Sequence, residues 1–203
     1  MFPGPEKKFH RHIAQYLKWV NKYAVLEQSE ITDTDHYFAE DHLIAFIKAT
    51  QADTFKALEE NYGTDARSEI FRALKDEVRH TPLWVLIRDG LKVRGAELKL
   101  YYPKPRSSDS AAVLGYEQNR LYFKDELVIK QGKRPDFTLF LNGLPIITME
   151  VKHEKNQTLH DAVKQYVERD HSDLIFQLPF LHIAADTSEV MMATDPRTDK
   201  NFR

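Results

Sequence analysis

The residues of this sequence that could do chemistry lie together in the segment RPDFTLFLNGLPIITMEVK, residues 134–152. Asp136 opens one run of strand-forming residues, and Glu150 and Lys152 close the next run. Asn142-Gly143 separates the two runs, and this pair favours a tight turn between antiparallel strands. The segment is therefore predicted to form a β-hairpin that carries two acids and a lysine.

The register of this hairpin determines whether the acids meet. A two-residue turn would pair Asp136 with Met149 and send the apolar faces of the two strands to opposite sides of the sheet. One more loop residue makes Asn142-Gly143-Leu144 a three-residue turn with a glycine bulge, which pairs Phe137 with Met149 and unites those faces. We therefore expect the three-residue turn, which places Asp136 directly opposite Glu150.

Two directly opposed carboxylates repel each other, and partial burial raises the cost unless a proton or a cation relieves it. Lys152, next along the strand, neutralises only part of that charge. A bound Mg²⁺ ion would offset the remaining negative charge, because Mg²⁺ commonly binds through one or two carboxylates together with waters and phosphate oxygens. A lysine beside such an ion can hold or polarise a water for attack on phosphorus. The arrangement predicts metal-assisted hydrolysis of a phosphodiester.

The same residues also have a simpler interpretation. The pattern of Pro-Asp followed by acid-x-Lys is permissive, and it also arises by chance in a chain that is 30% charged. In that interpretation Asp136 begins a strand, and Glu150 and Lys152 form an exposed polar edge. The metal site is favoured because the apolar faces independently require the register that unites the acids.

The element after the hairpin, QTLHDAVKQYVERD, is predicted to be a helix that starts with a capping-box-like pair, Thr158 and Asp161. One face of this helix carries Ala162, Gln165, Tyr166 and Arg169. Such a face could present an amide and a cation to the scissile phosphate. Alternatively, Ala162 and Tyr166 pack on the sheet and Gln165 is merely nearby.

The elements that must position these residues divide the chain in two. Apolar spacing in residues 1–90 predicts helices around residues 9–20, 38–49 and 70–86, with a break near Pro82. From residue 91 the predicted strands are ELKLYYP, NRLYFKDELVIK, DFTLFL, IITMEVK, LIFQL, FLHIAAD and EVMMAT, with PKPRSSDSAA as a loop. The prediction is one α/β domain, residues 1–203, whose helical N-terminal part packs on a mixed central sheet.

Composition limits the alternatives. A chain of 203 residues with 42% hydrophobic content can bury one substantial core. The absence of cysteine excludes disulfides and thiolate zinc sites and fits a reducing cytoplasm, where we expect the protein to lie. With a net charge of −2, any polyanion must be held by a local basic surface. The sequence contains neither an apolar run of membrane-spanning length nor a secretory signal.

The combination of RPDFTLFLNGLPIITMEVKH, NQTLHDAVKQYVERD and LHIAADTSEVMMAT resembles the N-terminal nuclease domain of the motor-bearing R subunit of type I restriction-modification enzymes, in the PD-(D/E)xK nuclease superfamily. FIKATQ, LIRDGLKVRGAELKLYYPKP and EQNRL extend the resemblance over most of the chain. It implies a restriction-endonuclease-like core, Mg²⁺-dependent cleavage of double-stranded DNA, and operation with specificity and methylation subunits.

On the matching positions, the resemblance implies that Asp136, Glu150 and the carbonyl of Val151 hold one or two Mg²⁺ ions. Lys152 would align the attacking water. Gln165 would be the glutamine of the family's helical QxxxY motif.

The sequence departs from the family pattern in two places. Arg169 stands where the motif has tyrosine, although Tyr166 lies next to Gln165. On the first helix, where members of the superfamily often carry an acid, this chain has His10, with Glu6 one turn earlier.

Basic residues near the acids are predicted to contact DNA. Lys133 and Arg134 directly precede the Pro-Asp pair that contains Asp136. Tyr166 and Arg169 of the predicted helix are also predicted to contact DNA. A second basic and aromatic group could also follow a phosphate backbone, although a solvated charged face explains it as well: Lys92, Arg94, Lys99, Tyr101, Tyr102, Lys104 and Arg106.

The R subunits of the family are much longer and carry an ATP-driven translocase after the nuclease. This sequence has no GxxxxGK[ST] phosphate loop, so ATP is expected to bind only to a translocase region that these residues lack. We therefore expect the chain to be an N-terminal fragment. Two alternatives stay open: a stand-alone repair or recombination nuclease of the same superfamily, and a catalytically silent module that docks DNA or subunits.

Overall fold

A computed structural model describes residues 5–106, 110–130, 132, 134–153 and 158–203. Their helices are α1 (Pro5–Gln15), α2 (Glu40–Thr50), α3 (Ala52–Tyr62), α4 (Ala66–Glu77), α5 (Leu83–Asp89), α6 (Ser110–Glu117) and α7 (Leu159–Val167). Their strands are β1 (Ala24–Val25), β2 (Leu91–Val93), β3 (Ala96–Leu98), β4 (Leu121–Asp125), β5 (Phe137–Leu141), β6 (Leu144–Val151), β7 (Leu181–Ala185) and β8 (Val190–Ala193). None of the helices within these ranges has the length and apolar character needed to span a membrane.

Six of the strands form one mixed sheet in the order β1-β4-β5-β6-β7-β8. The pairs β1–β4 and β6–β7 are parallel, and the other neighbours are antiparallel. The crossover between the parallel strands β6 and β7 contains α7, because parallel neighbours need a long connection. The predicted fold class, α/β with a mixed central sheet, is confirmed.

Apolar side chains cover both faces of this sheet. Phe137 and Leu139 of β5 belong to the cluster that includes the buried residues of α2 to α5. Phe140 belongs to the second cluster, with Ala162 and Tyr166 of α7. Neighbouring residues of β5 point to opposite faces because the side chains of a strand alternate.

Most of the predicted helices are confirmed. The first corresponds to α1 and the π-helical turn that follows it, the second to α2, and the third to α4 and α5, with the break before Leu83. The predicted loop PKPRSSDSAA is partly wrong, because α6 begins at Ser110; its residues 107–109 lie outside the described ranges.

LIFQL was predicted as a strand and this is wrong, because it contains the 3-10 turn Leu174–Phe176. The side chain of Asp173 accepts a hydrogen bond from the backbone N–H of Ile175 at 3.3 Å and so starts the turn. The apolar character of the segment reflects the burial of Ile175 and Phe176 in the core.

The hairpin of β5 and β6 has the predicted pairing of Phe137 with Met149. The predicted three-residue turn is wrong, because Leu141 pairs with Leu144 and the turn contains only Asn142-Gly143. Both turn residues have positive φ, 50° and 88°, as the two-residue type I′ turn requires. Ile146 is the extra residue, since the register shifts between Leu139 and Phe140. A bulge inside β6 therefore unites the apolar faces.

Gly143 also allows this turn to meet α2 closely. Its carbonyl accepts a hydrogen bond from the N–H of Ala39 at 2.9 Å. A Cβ on Gly143 would collide with the carbonyl oxygen of Ala39. The turn is thus fixed against the start of α2, which keeps the hairpin in one register.

The Gly143→Ala variant is expected to lose about 2–4 kcal/mol of unfolding free energy, because left-handed strain of about 1–2 kcal/mol adds to the collision with Ala39. Gly95→Ala is the matched control, since Gly95 has φ of 90° but its Cβ would meet no atom within 4 Å. It should lose only about 1–2 kcal/mol. Urea denaturation measures both, and equal losses would show that the contact with Ala39 is unimportant.

Candidate active site

The hairpin brings Asp136 and Glu150 to one end of the sheet. Asp136 directly precedes β5 and Glu150 is next to the last residue of β6, so the pairing of Phe137 with Met149 sets the two acids opposite each other. The backbone N–H of Val151 donates to Asp136 Oδ2 at 2.7 Å. This bond ties the side chain of Asp136 to the end of β6.

Glu150 is fully buried, with 0% of its surface exposed. Its Oε1 accepts a hydrogen bond from Arg169, whereas its Oε2 has no hydrogen-bond partner among the described residues. Burial, followed by the charge of Asp136, raises the pKa of Glu150 to about 8, although the charges of Arg169 and Lys152 act in the opposite direction. A charged Glu150 is therefore costly here, and a further cation would lower that cost.

The guanidinium of Arg169 is buried between the sheet and the segment before β5. It donates to Glu150 and, at 3.0 Å, to the carbonyl oxygen of Arg134, and it lies 5.7 Å from the ring centroid of Phe176. Since α7 ends at Val167, Arg169 lies beyond the helix. The predicted contact of Arg169 with DNA is not available in this structure, because its side chain is only 2% exposed.

Tyr166 is fully buried too, so the predicted contact of Tyr166 with DNA is likewise unavailable. Its hydroxyl lies 2.9 Å from Oγ1 of Thr148, which lies 2.7 Å from Nδ1 of His182. Burial is the main cause that lowers the pKa of His182 to about 4, so this imidazole is neutral near pH 7. The three side chains join α7 to β6 and β7 two residues before Glu150.

The sequence analysis did not single out Thr148 and His182. Period-two alternation does give a signal for both. It places Thr148 on the face of Glu150, and it places His182 on the same face as the buried Ala184 within β7.

Lys152 directly follows β6, and its backbone N–H donates to the carbonyl of Ala185 at 2.9 Å. Its side chain is nearly buried, and its charge acts on both Glu150 and Asp161. The structure thus brings the lysine to the acids. Gln165 is half-buried on α7, and its side chain forms no hydrogen bond with a described residue.

Of the basic residues before Asp136, Arg134 is exposed and lies 3.5 Å from Glu126. Lys133 and the side chain of Glu6 lie outside the part of the chain that the structure describes.

Asp136 lines a groove of about 870 Å³ that also contains residues of α1, the segment after β1, and the end of β4. His10 of α1 lies against the start of β5, because its ring stacks on Phe137 with a centroid distance of 4.3 Å. Its Nε2 lies 3.4 Å from Oδ1 of Asp125, a residue that the sequence analysis did not single out. Burial raises the pKa of Asp125.

The donor atoms at this site suit a hard divalent cation. Two opposed carboxylates supply oxygens, and Oε2 of Glu150 is a buried acceptor without a hydrogen-bond partner in the described ranges. No group of three or more His, Cys, Asp or Glu residues within those ranges is arranged to hold a metal. A cation here would therefore need backbone, water or phosphate oxygens besides Asp136 and Glu150, as Mg²⁺ commonly does.

The fold and the site together define a mixed α/β protein with a carboxylate pair at the ends of two central strands. The chain belongs to the family described as type I restriction enzyme R protein N terminus, whose model matches residues 23–201. The resemblance to the N-terminal region of type I restriction enzyme R subunits is thereby confirmed.

A relative from Methanocaldococcus jannaschii bears the name of a type I restriction enzyme MjaVIIIP endonuclease subunit and is 33% identical over 93 residues. The match covers 43% of this chain but only 9% of that protein. The chain thus spans a small part of the length of this relative.

At pH 9, above the pKa of Glu150, the Arg169→Met variant is expected to lose about 3–5 kcal/mol of unfolding free energy, because it leaves an ionised Glu150 buried without its cation. The double variant Glu150→Gln/Arg169→Met should recover most of that loss, since both buried charges are gone. Urea denaturation of all four forms gives the coupling energy. Additive losses would contradict an energetic role for the ion pair.

The raised pKa of Glu150 predicts a pH-dependent stability. Between its ordinary value of 4.5 and about 8, the folded chain keeps a proton that the unfolded chain has released. The free energy of unfolding therefore falls as pH rises through this window, by at most about 1.4 kcal/mol for each pH unit. Glu150→Gln should remove this decline in urea denaturation from pH 5 to pH 8, and a constant difference from wild type would contradict the pKa.

Proposed function

We propose that this chain is a Mg²⁺-dependent endonuclease domain of the PD-(D/E)xK type that cleaves double-stranded DNA in a type I restriction-modification complex. The observation that carries the proposal is the opposed pair Asp136 and Glu150, with an unpartnered oxygen on Glu150 and Lys152 two residues further on. Membership of the R protein family supports it.

In this proposal Asp136, Glu150 and the carbonyl of Val151 hold the metal. Mg²⁺, when bound, supplies a Lewis acid that stabilises charge on the phosphate and on the leaving oxygen. The N–H of Val151 donates to Oδ2 of Asp136 and so holds this carboxylate at the end of β6, opposite Glu150.

Lys152 has the role of aligning a water for in-line attack on phosphorus. Lys152 directly follows β6, and its charge acts on Glu150. Arg169 donates a hydrogen bond to Oε1 of Glu150 and so orients the carboxylate. Gln165 has the proposed role of the glutamine in the family's helical motif. The exposed Arg134 and the neighbouring Lys133 are proposed to contact DNA.

The proposed partners are duplex DNA and the specificity and methylation subunits of a restriction-modification complex, and the proposed location is the cytoplasm. ATP is a proposed cofactor only of a translocase region. The stand-alone repair nuclease is less well supported, because the family model describes an R protein domain.

A catalytically silent docking module is the second candidate, and one observation favours it. Arg169 already compensates Glu150, whose side chain is 0% exposed. A cation would have to compete with this ion pair for the carboxylate.

The test is calorimetric titration of Mg²⁺ into wild type, Asp136→Ala and Glu150→Ala, combined with plasmid nicking by the same samples. Asp53→Ala is the control, because Asp53 is an exposed acid at the start of α3. Binding and nicking should be lost in both site variants, with nicking at least 100-fold slower, and retained in the control.

Equal Mg²⁺ binding in all four proteins would exclude the carboxylate pair as the metal site. No binding in any of them, even with DNA present, would favour the docking module. Urea denaturation of each variant separates loss of the site from loss of the fold.

A further inference from the structure

One face of α1 carries basic residues into the groove that contains Asp136. This α1 face consists of Lys7, His10, Arg11 and Ala14, all of which line the groove. We propose that the α1 face binds the phosphate backbone of duplex DNA beside the site, an inference that rests on the proposed function. It adds to the family comparison, since α1 ends before residue 23, where the family match begins.

The sequence of α1 fixes the direction of this face. Its members fall at i, i+3, i+4 and i+7, which is one stripe of a helix. Phe9 and Ile13, on the neighbouring stripe, pack against the hydrophobic core. Because the apolar stripe is held by the core, the basic stripe is held toward the groove.

His10 fixes the α1 face next to Asp136. Its ring is stacked on Phe137, the residue after Asp136, with an angle of 22° between the ring planes. Lys7 lies one turn before His10, and Arg11 directly follows it. The two cations therefore flank the point where α1 contacts the start of β5, next to Asp136.

The charges in the groove leave these two cations available. Among the described residues, four acids line it. Asp125 faces His10, Glu126 faces Arg134, and Glu27 accepts a backbone hydrogen bond in the capping box of a 3-10 turn. Asp136 accepts a hydrogen bond from the N–H of Val151.

Lys7 and Arg11 are exposed, and neither forms an ion pair with a residue in the described ranges. An anion from outside the chain can therefore reach both.

The spacing of the two cations suits a nucleic acid backbone. Lys7 and Arg11 are four residues apart, so they are separated by about 6 Å along the helix axis. Each strand of duplex DNA carries one phosphate for about every 3.4 Å of the duplex axis, so two cations at this separation can contact phosphates of the same strand. A lysine and an arginine also form strong charge-assisted hydrogen bonds with phosphate oxygens.

The experiment measures the affinity of the 203-residue chain for a fluorescent DNA duplex over a series of NaCl concentrations, in EDTA so that no cleavage occurs. The Lys7→Ala/Arg11→Ala variant should bind more weakly. The slope of log affinity against log salt should shrink by about one for each cation removed.

Lys8→Ala is the matched control for Lys7→Ala. Lys8 is the next residue of α1 and is also exposed, but it does not line the groove. Its variant should keep the wild-type slope. Circular dichroism of each variant confirms that α1 is retained.

A wild-type slope in the double variant would overturn the inference, and so would a wild-type chain with no affinity for the duplex. Competition by an acidic polypeptide as effective as competition by DNA would overturn it too, since the surface would then fit an acidic protein. Mg²⁺-dependent nicking tests the proposed function separately. If the α1 face binds DNA but the chain does not nick it, the nuclease proposal is rejected and the α1 proposal stands. If the chain nicks DNA and the Lys7→Ala/Arg11→Ala variant binds DNA like wild type, only the α1 proposal is rejected.

Discussion

The free-energy cost of ionising the buried Glu150 is the constraint on which the rest of this site depends. A carboxylate without solvent contact is costly, and one oxygen of Glu150 has no partner among the described residues. Arg169 compensates part of that cost, and it is itself held by the carbonyl of Arg134. In the proposed function, a divalent cation at this end of the sheet relieves the remaining cost, and this relief favours its binding.

Three features of the fold bury Glu150 and bring Asp136 and Arg169 next to it. The bulge at Ile146 aligns the two strands so that Asp136 faces Glu150. The hydrogen bonds among Thr148, Tyr166 and His182 attach α7 to the sheet below the acids. The end of α7 then allows Arg169 to turn back toward Glu150. Together these features keep Glu150 buried, where a charge on it is unfavourable.

The sequence was sufficient to predict that Phe137 pairs with Met149 and that Asp136 therefore faces Glu150. Only this register puts the apolar faces of the two strands on the same side of the sheet. The sequence was not sufficient to predict how that register arises, since a bulge at Ile146 and a longer turn satisfy the same constraint. The burial of Arg169 was missed because i, i+4 spacing assumes a continuous helix, and α7 ends at Val167. The stacking of His10 on Phe137 joins residues far apart in the sequence, so no local pattern predicts it.

The central claim is that Asp136 and Glu150 share one cation, and anomalous diffraction from crystals grown with Mn²⁺ in place of Mg²⁺ tests it most directly. The account predicts an anomalous peak within ligand distance, about 2.0–2.3 Å, of a carboxylate oxygen of each residue. A peak at other residues, or none between the two acids at a saturating concentration of Mn²⁺, would contradict it.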